Sequence, residues 1–157
     1  MTRSLNSAVI AAFAAAAFLF IGMHAVAQDD VDAHRSCAFC GMDRKAFGYS
    51  RMLVRYDDGS EVGVCSLHCA VVELETSKAR RVTALLVADR DSRTLLEAEQ
   101  AFWVAGGTKR GVMTEHPSWA FSTKAAAEAF IKQYGGSLTP WADIRAVARD
   151  EVAKERR

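Results

Sequence analysis

Residues 52–70, MLVRYDDGSEVGVCSLHCA, contain the pattern that decides the fold. Met52 to Tyr56 is a mostly apolar run, DDGS is a turn sequence, and Val62 to Val64 resumes the apolar run. Ser66 follows, and serine is a preferred N-cap residue, so we expect a helix to begin there. The stretch therefore predicts a strand, a turn, a second strand and a helix.

The second half of the chain repeats this order of elements. A strand, a turn, a second strand and a helix are predicted at residues 101–104, 105–107, 119–121 and from Ser122 onward. The two helix starts align without a gap, which makes Ser66 and Ser122 equivalent N-cap residues. We therefore predict an α+β fold. Two related ββα units, at about residues 37–80 and 95–136, form a small two-lobed domain.

Three further segments complete the predicted fold. Residues 82–88 form an apolar run that predicts a buried strand, and residues 95–100 predict a short helix or a turn. Residues 140–157 follow a Gly-Gly break and predict a C-terminal amphipathic helix. The packed side of that helix is expected to carry Trp141, Ile144 and Val152.

The first residues of the chain have the pattern of an export signal. Arg3 gives a positive start, residues 8–22 are apolar, and AVA at residues 25–27 is a small-x-small cleavage sequence. The apolar run is shorter than the roughly 20 residues that a bilayer span needs. We therefore expect a cleaved signal peptide at residues 1–27 and a mature domain at residues 28–157. If the leader were not cleaved, it would anchor the protein in the inner membrane; either outcome predicts a periplasmic protein.

Size and charge exclude several functions for the mature chain. About 130 residues suffice for one modest domain. Removing the leader takes away Arg3 and leaves 19 basic and 19 acidic residues, so no net field would attract nucleic acid. The sequence has no recognisable nucleophile motif, phosphate loop or paired acids beside a histidine, so we do not expect an enzyme.

The four cysteines lie in two clusters, CAFCGM at residues 37–42 and CSLHC at residues 65–69. A C-x-x-C knuckle combined with C-x-x-x-C at a helix start is the spacing of a treble-clef-like sulfur site. Gly41 permits a tight turn after Cys40, and the helix N-terminus favours thiolates at Cys65 and Cys69. Because thioether sulfur suits Cu(I) better than zinc, Met42 favours a Cu(I) site.

Three other side chains are weighed as ligands. His68 lies between the helix cysteines but points at a different angle around the helix, on a face that we expect to be solvated. Met113 lies in the polar segment GVMTEHP, where a core methionine is less expected, and His116 of the same segment is expected at the surface. The candidate metal ligands are therefore Cys37, Cys40, Met42, Cys65, His68, Cys69 and Met113.

These features resemble the NosL family, which comprises accessory copper-binding proteins of nitrous oxide reductase assembly. The resemblance spans about residues 37–136 and rests on CAFCGM, the strand at 52–56, the segment at 95–104, Met113, and the AFS start of an Ala-rich helix that ends in YGG. It implies a monomeric copper chaperone built of two ββα lobes. By position in the family pattern, Cys40, Met42 and Met113 would bind Cu(I), with Cys37 as a further candidate.

The chain also departs from the family pattern at two points. Family members are commonly lipoproteins, whereas this leader has no lipidation cysteine, so a soluble or N-terminally anchored form is expected. Cys65, His68 and Cys69 lie outside the pattern and resemble the distal half of a treble clef. They would enlarge the copper site, build a second one, or hold zinc, and the sequence leaves these three alternatives open.

The sequence thus predicts an exported Cu(I) metallochaperone. It would pass copper by ligand exchange to an apo copper enzyme such as nitrous oxide reductase, or to the assembly or transport machinery of that enzyme. Two alternatives remain. One is a thiol-disulfide oxidoreductase that uses Cys37 and Cys40, and the other is an interaction module stabilised by zinc or by disulfides.

Overall fold

The computed structural model describes residues 29–156, so the predicted signal peptide lies outside the described residues. Within that range no helix combines the length and the apolar character needed to cross a membrane. The elements in chain order are α1 (Asp29–Ala33), β1 (Met52–Tyr56), β2 (Glu61–Val64), α2 (Leu67–Thr76), β3 (Val82–Ala88), β4 (Leu95–Glu97), β5 (Phe102–Ala105), β6 (Ser118–Phe121), α3 (Lys124–Tyr134), β7 (Ser137–Leu138) and α4 (Trp141–Glu155).

The strands form two small antiparallel sheets. The first has the order β2-β1-β3-β4 and the second the order β6-β5-β7. Each sheet has its own strand-strand-helix unit, β1-β2-α2 in the first and β5-β6-α3 in the second. The predicted α+β fold with two ββα units and a C-terminal helix is confirmed.

Residues 95–100 follow their prediction only in part, since residues 98–100 form a turn but residues 95–97 do not. Residues 95–97 are neither a helix nor a turn but the strand β4, which pairs with β3 through Leu86 opposite Glu97 and Ala88 opposite Leu95. Pairing satisfies backbone groups that β3 would otherwise leave open at the edge of the sheet. These residues therefore belong to the first sheet, whereas we predicted them at the start of the second lobe.

The start of α3 also differs from its prediction by one residue. Thr123, not Ser122, is the N-cap, and its side chain accepts a hydrogen bond from the backbone N–H of Ala126 at 3.2 Å. The N–H of Ser122 instead donates to Asp89 Oδ2 at 2.6 Å. Asp89 follows β3, so this bond ties the second unit to the first sheet and leaves the capping role to threonine.

One apolar core joins the two sheets and the C-terminal helix. Met52 and Val87 enter it from the first sheet, Trp103 and Ala120 from the second, and Ile144 from α4. All five side chains are buried. Because the core is shared, the two sheets form one folded body.

The C-terminal helix packs as its sequence pattern predicts. Ile144 and Val152 are buried, and the ring of Trp141 stacks on that of Trp103 with 5.1 Å between centroids. Pro140 occupies the N-cap position, where its missing N–H costs no hydrogen bond. The helix packs on α2 and covers the face that carries His68, which we expected to be solvated.

A buried ion cluster lies beneath the 37–51 segment. The carboxylate of Asp30 accepts from Arg44 Nη2 at 2.8 Å and from Arg51 Nη2 at 2.9 Å. Arg44 also donates to the carbonyl oxygens of Val64 at 3.1 Å and Met52 at 3.0 Å. Its side chain is fully buried. A single guanidinium therefore ties α1, the segment after the first cysteine cluster, β1 and β2 together.

The ion cluster generates a stability prediction. Burial alone would raise the pKa of Asp30, but hydrogen bonds and charges from Arg51 and Arg44 hold it below its ordinary value of 3.8. Asp30→Asn would leave two buried guanidiniums without their counter-charge, so we expect a loss of about 3–5 kcal/mol of unfolding free energy, measured by urea unfolding.

The pH dependence and a control sharpen this test. A depressed carboxyl pKa means that the Asp30 contribution is present above pH 3.8 and is lost as the pH falls further. Asp30→Asn should therefore reduce the fall in unfolding free energy below pH 3.8. Asp32→Asn, at an exposed position of the same helix, should not change that fall. Equal stability of the two variants would contradict the structural role of the cluster.

Candidate metal centre

The second cysteine cluster lies where β2 passes into α2. Cys65 follows the last residue of β2, and Cys69 lies one helical turn later, so both thiols project from one side of the helix start. Both are buried, and their Sγ atoms are 3.8 Å apart. Ser66 occupies the predicted N-cap position, but its side chain makes no capping bond and its Oγ lies 3.8 Å from Cys65 Sγ.

The first cysteine cluster forms a tight knuckle. The N–H of Cys37 donates to the carbonyl oxygen of Met42 at 2.8 Å, and the N–H of Gly41 donates to the carbonyl oxygen of Cys37 at 3.0 Å. Gly41 has a φ of 74°, a conformation that glycine adopts at little cost. The N–H of Ala38 donates to Gly63 O at 3.1 Å. The knuckle is thereby fixed against β2, beside Cys65.

The absence of a side chain at Gly63 lets the side chains of His34 and Arg44 pack closely against β2. A Cβ atom at this position would lie 2.4 Å from the Cβ of His34 and 2.7 Å from the guanidinium carbon of Arg44. Any larger residue would push Arg44 away from β2 and from the carbonyl oxygen of Val64. The close packing of the guanidinium therefore depends on glycine here.

The two clusters bring all four thiols to one place. Their Sγ atoms lie within 4.8 Å of one another, with 3.4 Å between Cys40 and Cys65 and 4.0 Å between Cys69 and Cys40. A metal–thiolate bond of about 2.3 Å places the sulfurs of a tetrahedral site about 3.8 Å apart. The sulfur spacing is therefore that of a metal–thiolate centre. All four cysteines are free thiols in the structure.

Methionine sulfur extends this cluster on one side. Met42 Sδ lies 4.0 Å from Cys65 Sγ, and the side chain is half-buried. Cys37, Cys65 and Cys69 are buried, whereas Cys40 is exposed. The centre therefore has three buried thiols and an open side formed by Cys40 and Met42.

Met113 and His68 lie apart from these sulfur contacts. Met113 is 44 % exposed and has a φ of 57°; among residues 29–156 no sulfur contact within 4.0 Å involves it. His68 is not one of the grouped ligands. Both side chains line a neighbouring groove. Ligation by Met113 or His68 stays a prediction.

The predicted solvated position of His68 is wrong. The side chain is buried, with its Nε2 3.3 Å from Glu155 Oε2 of α4 and its Nδ1 without a hydrogen-bond partner among the described residues. Packing of α4 on α2 covers the histidine, and no local sequence pattern shows this contact. His116 is exposed, as predicted.

The thiols of the centre are not equivalent in acidity. A hydrogen bond from Cys69, with others from Cys40 and Ser66, lowers the pKa of Cys65 to about 5. The same Cys65–Cys69 contact raises the pKa of Cys69 above the ordinary thiol value, and desolvation raises that of Cys40 to about 11. Cys65 is thus the thiolate that accepts hydrogen bonds from its neighbours.

Arg44, Asp30 and Arg51 support the centre without joining it, and sequence reasoning missed them. Charged residues in a turn-rich segment are ordinarily solvent-exposed, so their local sequence gives no signal of burial. The carboxylate of Asp30 pairs with both guanidiniums. Burial lowers the pKa of Arg44, and the charges of Asp30 and Cys37 oppose that shift.

Comparisons with known proteins place this arrangement among relatives. The family described as NosL matches residues 28–148. The chain is similar to the crystal structure of the copper chaperone NosL from Shewanella denitrificans, with 25% sequence identity, a TM-score of 0.54, and coverage of 70% of this chain and 89% of that one. A comparison with curated proteins found no match.

The acidity of Cys65 generates a spectroscopic prediction. In the reduced, metal-free protein, thiolate absorbance in the ultraviolet should persist at neutral pH and disappear with a midpoint near pH 5. Because the folded-state pKa lies below the ordinary value of 9.0, this thiolate stabilises the fold above pH 9, and the contribution is lost as the pH falls through 5.

Two variants assign that titration step. Cys65→Ser should remove it, and Cys69→Ala should move its midpoint upward because the main hydrogen-bond donor is gone. A midpoint near 9 in the unchanged protein would contradict the proposed thiolate.

Proposed function

The chain belongs to the NosL family, and we propose that it is an exported metallochaperone that binds Cu(I) and delivers it to a periplasmic copper enzyme such as nitrous oxide reductase. The observation that carries this proposal is the grouping of four thiol sulfurs within 4.8 Å of one another, with the Met42 thioether 4.0 Å from one of them. The similar solved structure is that of a copper chaperone, which supports copper as the cargo.

The donor set selects soft metal ions. Thiolate and thioether sulfur bind Cu(I) well and bind hard ions such as Mg²⁺ and Ca²⁺ poorly. The four thiols alone also have the spacing of a zinc site, so Zn²⁺ is the second candidate for the centre. Met42 distinguishes the two metals, because a closed four-thiolate zinc site has no use for a thioether at its edge.

The unequal burial of the ligands favours transfer of the metal ion to a partner protein. Cys40 is exposed, and its neighbour Phe39 is 41 % exposed, so a partner protein can reach the centre from this side. A thiolate or thioether of the partner would bind the copper and displace Cys40, with no change in the oxidation state of the metal. The three buried cysteines hold the ion until that exchange is complete.

The same burial argues against the oxidoreductase alternative. In such enzymes the attacking thiolate must reach a disulfide of another protein. Cys65 is the low-pKa thiol of this chain, and it is fully buried. The exposed Cys40 has a raised pKa and lies in a knuckle, not at a helix start. The chain is a binding and delivery protein, without catalytic residues in this proposal.

Anaerobic titration with Cu(I) against a chromophoric chelator tests the function, with a parallel Zn²⁺ titration. The reduced protein should bind Cu(I) more tightly than the chelator. Cys65→Ser should weaken binding by at least about tenfold, or about 1.4 kcal/mol, because this sulfur is the centre of the cluster. Met42→Ala should weaken Cu(I) binding and leave Zn²⁺ binding unchanged.

Met113→Ala is the matched control at an exposed methionine. Unchanged Cu(I) affinity would restrict the site to the five clustered sulfurs, whereas a loss like that of Met42→Ala would establish Met113 as the ligand that the family resemblance implies. Stoichiometric Zn²⁺ with negligible Cu(I) binding would overturn the proposal in favour of a structural zinc module.

A further inference from the structure

A groove on the surface, with a volume of about 380 Å³, is lined mainly by cations. Its charged side chains are those of Arg90, Asp91, Arg93, Lys109 and Arg110, so four cations accompany one carboxylate and the groove carries three net positive charges. We call it the basic groove. Outside the predicted signal peptide the chain has equal numbers of basic and acidic residues. The basic groove is therefore a local concentration of charge and not part of an overall positive field.

Most cations of the basic groove have no counter-charge in the described part of the chain. Arg90 Nη1 donates to Asp91 Oδ1 at 2.7 Å, which is the one ion pair of the groove within residues 29–156. In the same range no carboxylate oxygen lies within 4.0 Å of a side-chain nitrogen of Arg93, Lys109 or Arg110. Like charges that share a groove repel one another, and an anionic partner would remove that repulsion.

Aromatic rings hold the guanidinium of Arg90 in place. Its central carbon lies 4.7 Å from the ring centre of Phe130, 5.7 Å from that of Trp119 and 5.9 Å from that of Tyr134. Its Nε is buried and has no hydrogen-bond partner among the described residues. The guanidinium is therefore oriented before a partner binds, which lowers the entropy cost of recognition.

The basic groove is connected to the segment that follows the knuckle. The guanidinium carbon of Arg93 lies 5.3 Å from the ring centre of Tyr49, and the carbonyl oxygen of Arg93 accepts from Arg51 Nη1 at 2.8 Å. Between these two residues, Ser50 Oγ donates to the carbonyl oxygen of Cys65 at 2.8 Å. Three consecutive residues thus join a wall of the basic groove to the backbone of the sulfur centre.

The chemistry of the groove favours the carboxylates of a protein. Arginine presents paired N–H donors that match a carboxylate. Single-stranded nucleic acid needs exposed ring faces on which bases stack, but Trp119 and Phe130 are buried and Arg90 lies over both. A membrane surface favours exposed apolar side chains beside the cations. The exposed large apolar side chains of the described region all lie outside the basic groove.

We infer that the basic groove is the docking surface for an acidic segment of the protein that receives the copper. This inference rests on the proposed function and adds the chemistry of the partner to it. Charge attraction increases the rate of encounter and orients the partner, and the metal ion then passes by ligand exchange at Cys40. Because the cations of the groove are not among the clustered sulfur ligands, substitution can separate docking from metal binding.

Fluorescence anisotropy of a rhodamine-labelled hexa-aspartate peptide tests the docking surface. The reduced protein should bind the peptide saturably at about 20 mM salt and at least about tenfold more weakly at about 200 mM, because salt screens exposed charges. Lys109→Glu combined with Arg110→Glu should weaken binding at low salt by at least about tenfold. Arg81→Glu combined with Arg145→Glu is the matched control. It makes the same change in net charge at two exposed positions outside the groove and should leave peptide affinity within about twofold.

The outcomes separate the inference from the proposed function. The variant Lys109→Glu with Arg110→Glu should keep its Cu(I) affinity, and circular dichroism shows whether it is folded; if it is not, Lys109→Ala with Arg110→Ala takes its place. Equal peptide binding by the groove and control variants overturns the docking surface and leaves the chaperone intact. Tighter binding to phosphatidylglycerol vesicles than to the peptide, or displacement of the peptide by inorganic phosphate at equal concentration, overturns the assignment to a protein partner. Absence of Cu(I) binding overturns the proposed function, and with it the role of the groove in copper delivery.

Discussion

The buried guanidinium of Arg44 is the constraint on which the sulfur centre depends. It donates to the carboxylate of Asp30 and to the carbonyl oxygens of Met52 and Val64, so it joins α1 to the two strands that precede α2. Val64 is the residue before Cys65, and the knuckle is hydrogen-bonded to the same strand. Because the bonds to Met52 and Val64 hold backbone carbonyl oxygens, they fix the strands that position the knuckle relative to the start of α2.

Burial then divides the centre into a fixed part and an exchangeable part. Cys65 and Cys69 are held by α2 and covered by the core, whereas Cys40 lies on a turn at the surface. A chaperone needs both properties, since the metal must be retained in transit and released to its acceptor. Here the retention comes from thiols that solvent does not reach, and the release from one thiol that a partner can replace.

The sequence predicted those features that depend on local pattern. Strand β1, the start of α2 and the convergence of the cysteines follow from apolar runs, a serine N-cap position and the C-x-x-C spacing. Long-range contacts escaped prediction. His68 is buried by a helix more than seventy residues away, and β4 forms because β3 needs a partner at its edge. The burial of Arg44 and Asp30 was missed because a buried ion pair depends on tertiary structure, and the adjacent residues do not indicate it.

The most direct measurement is copper handover to apo nitrous oxide reductase under anaerobic conditions. Protein loaded with Cu(I) should restore the copper-centre absorption and activity of the enzyme, and chelated Cu(I) at the same free concentration should do so more slowly. Loaded Cys40→Ser should lose this advantage, because the accessible ligand that begins the exchange is gone. Equal restoration by chelated copper and by the loaded protein would contradict a chaperone role for this centre.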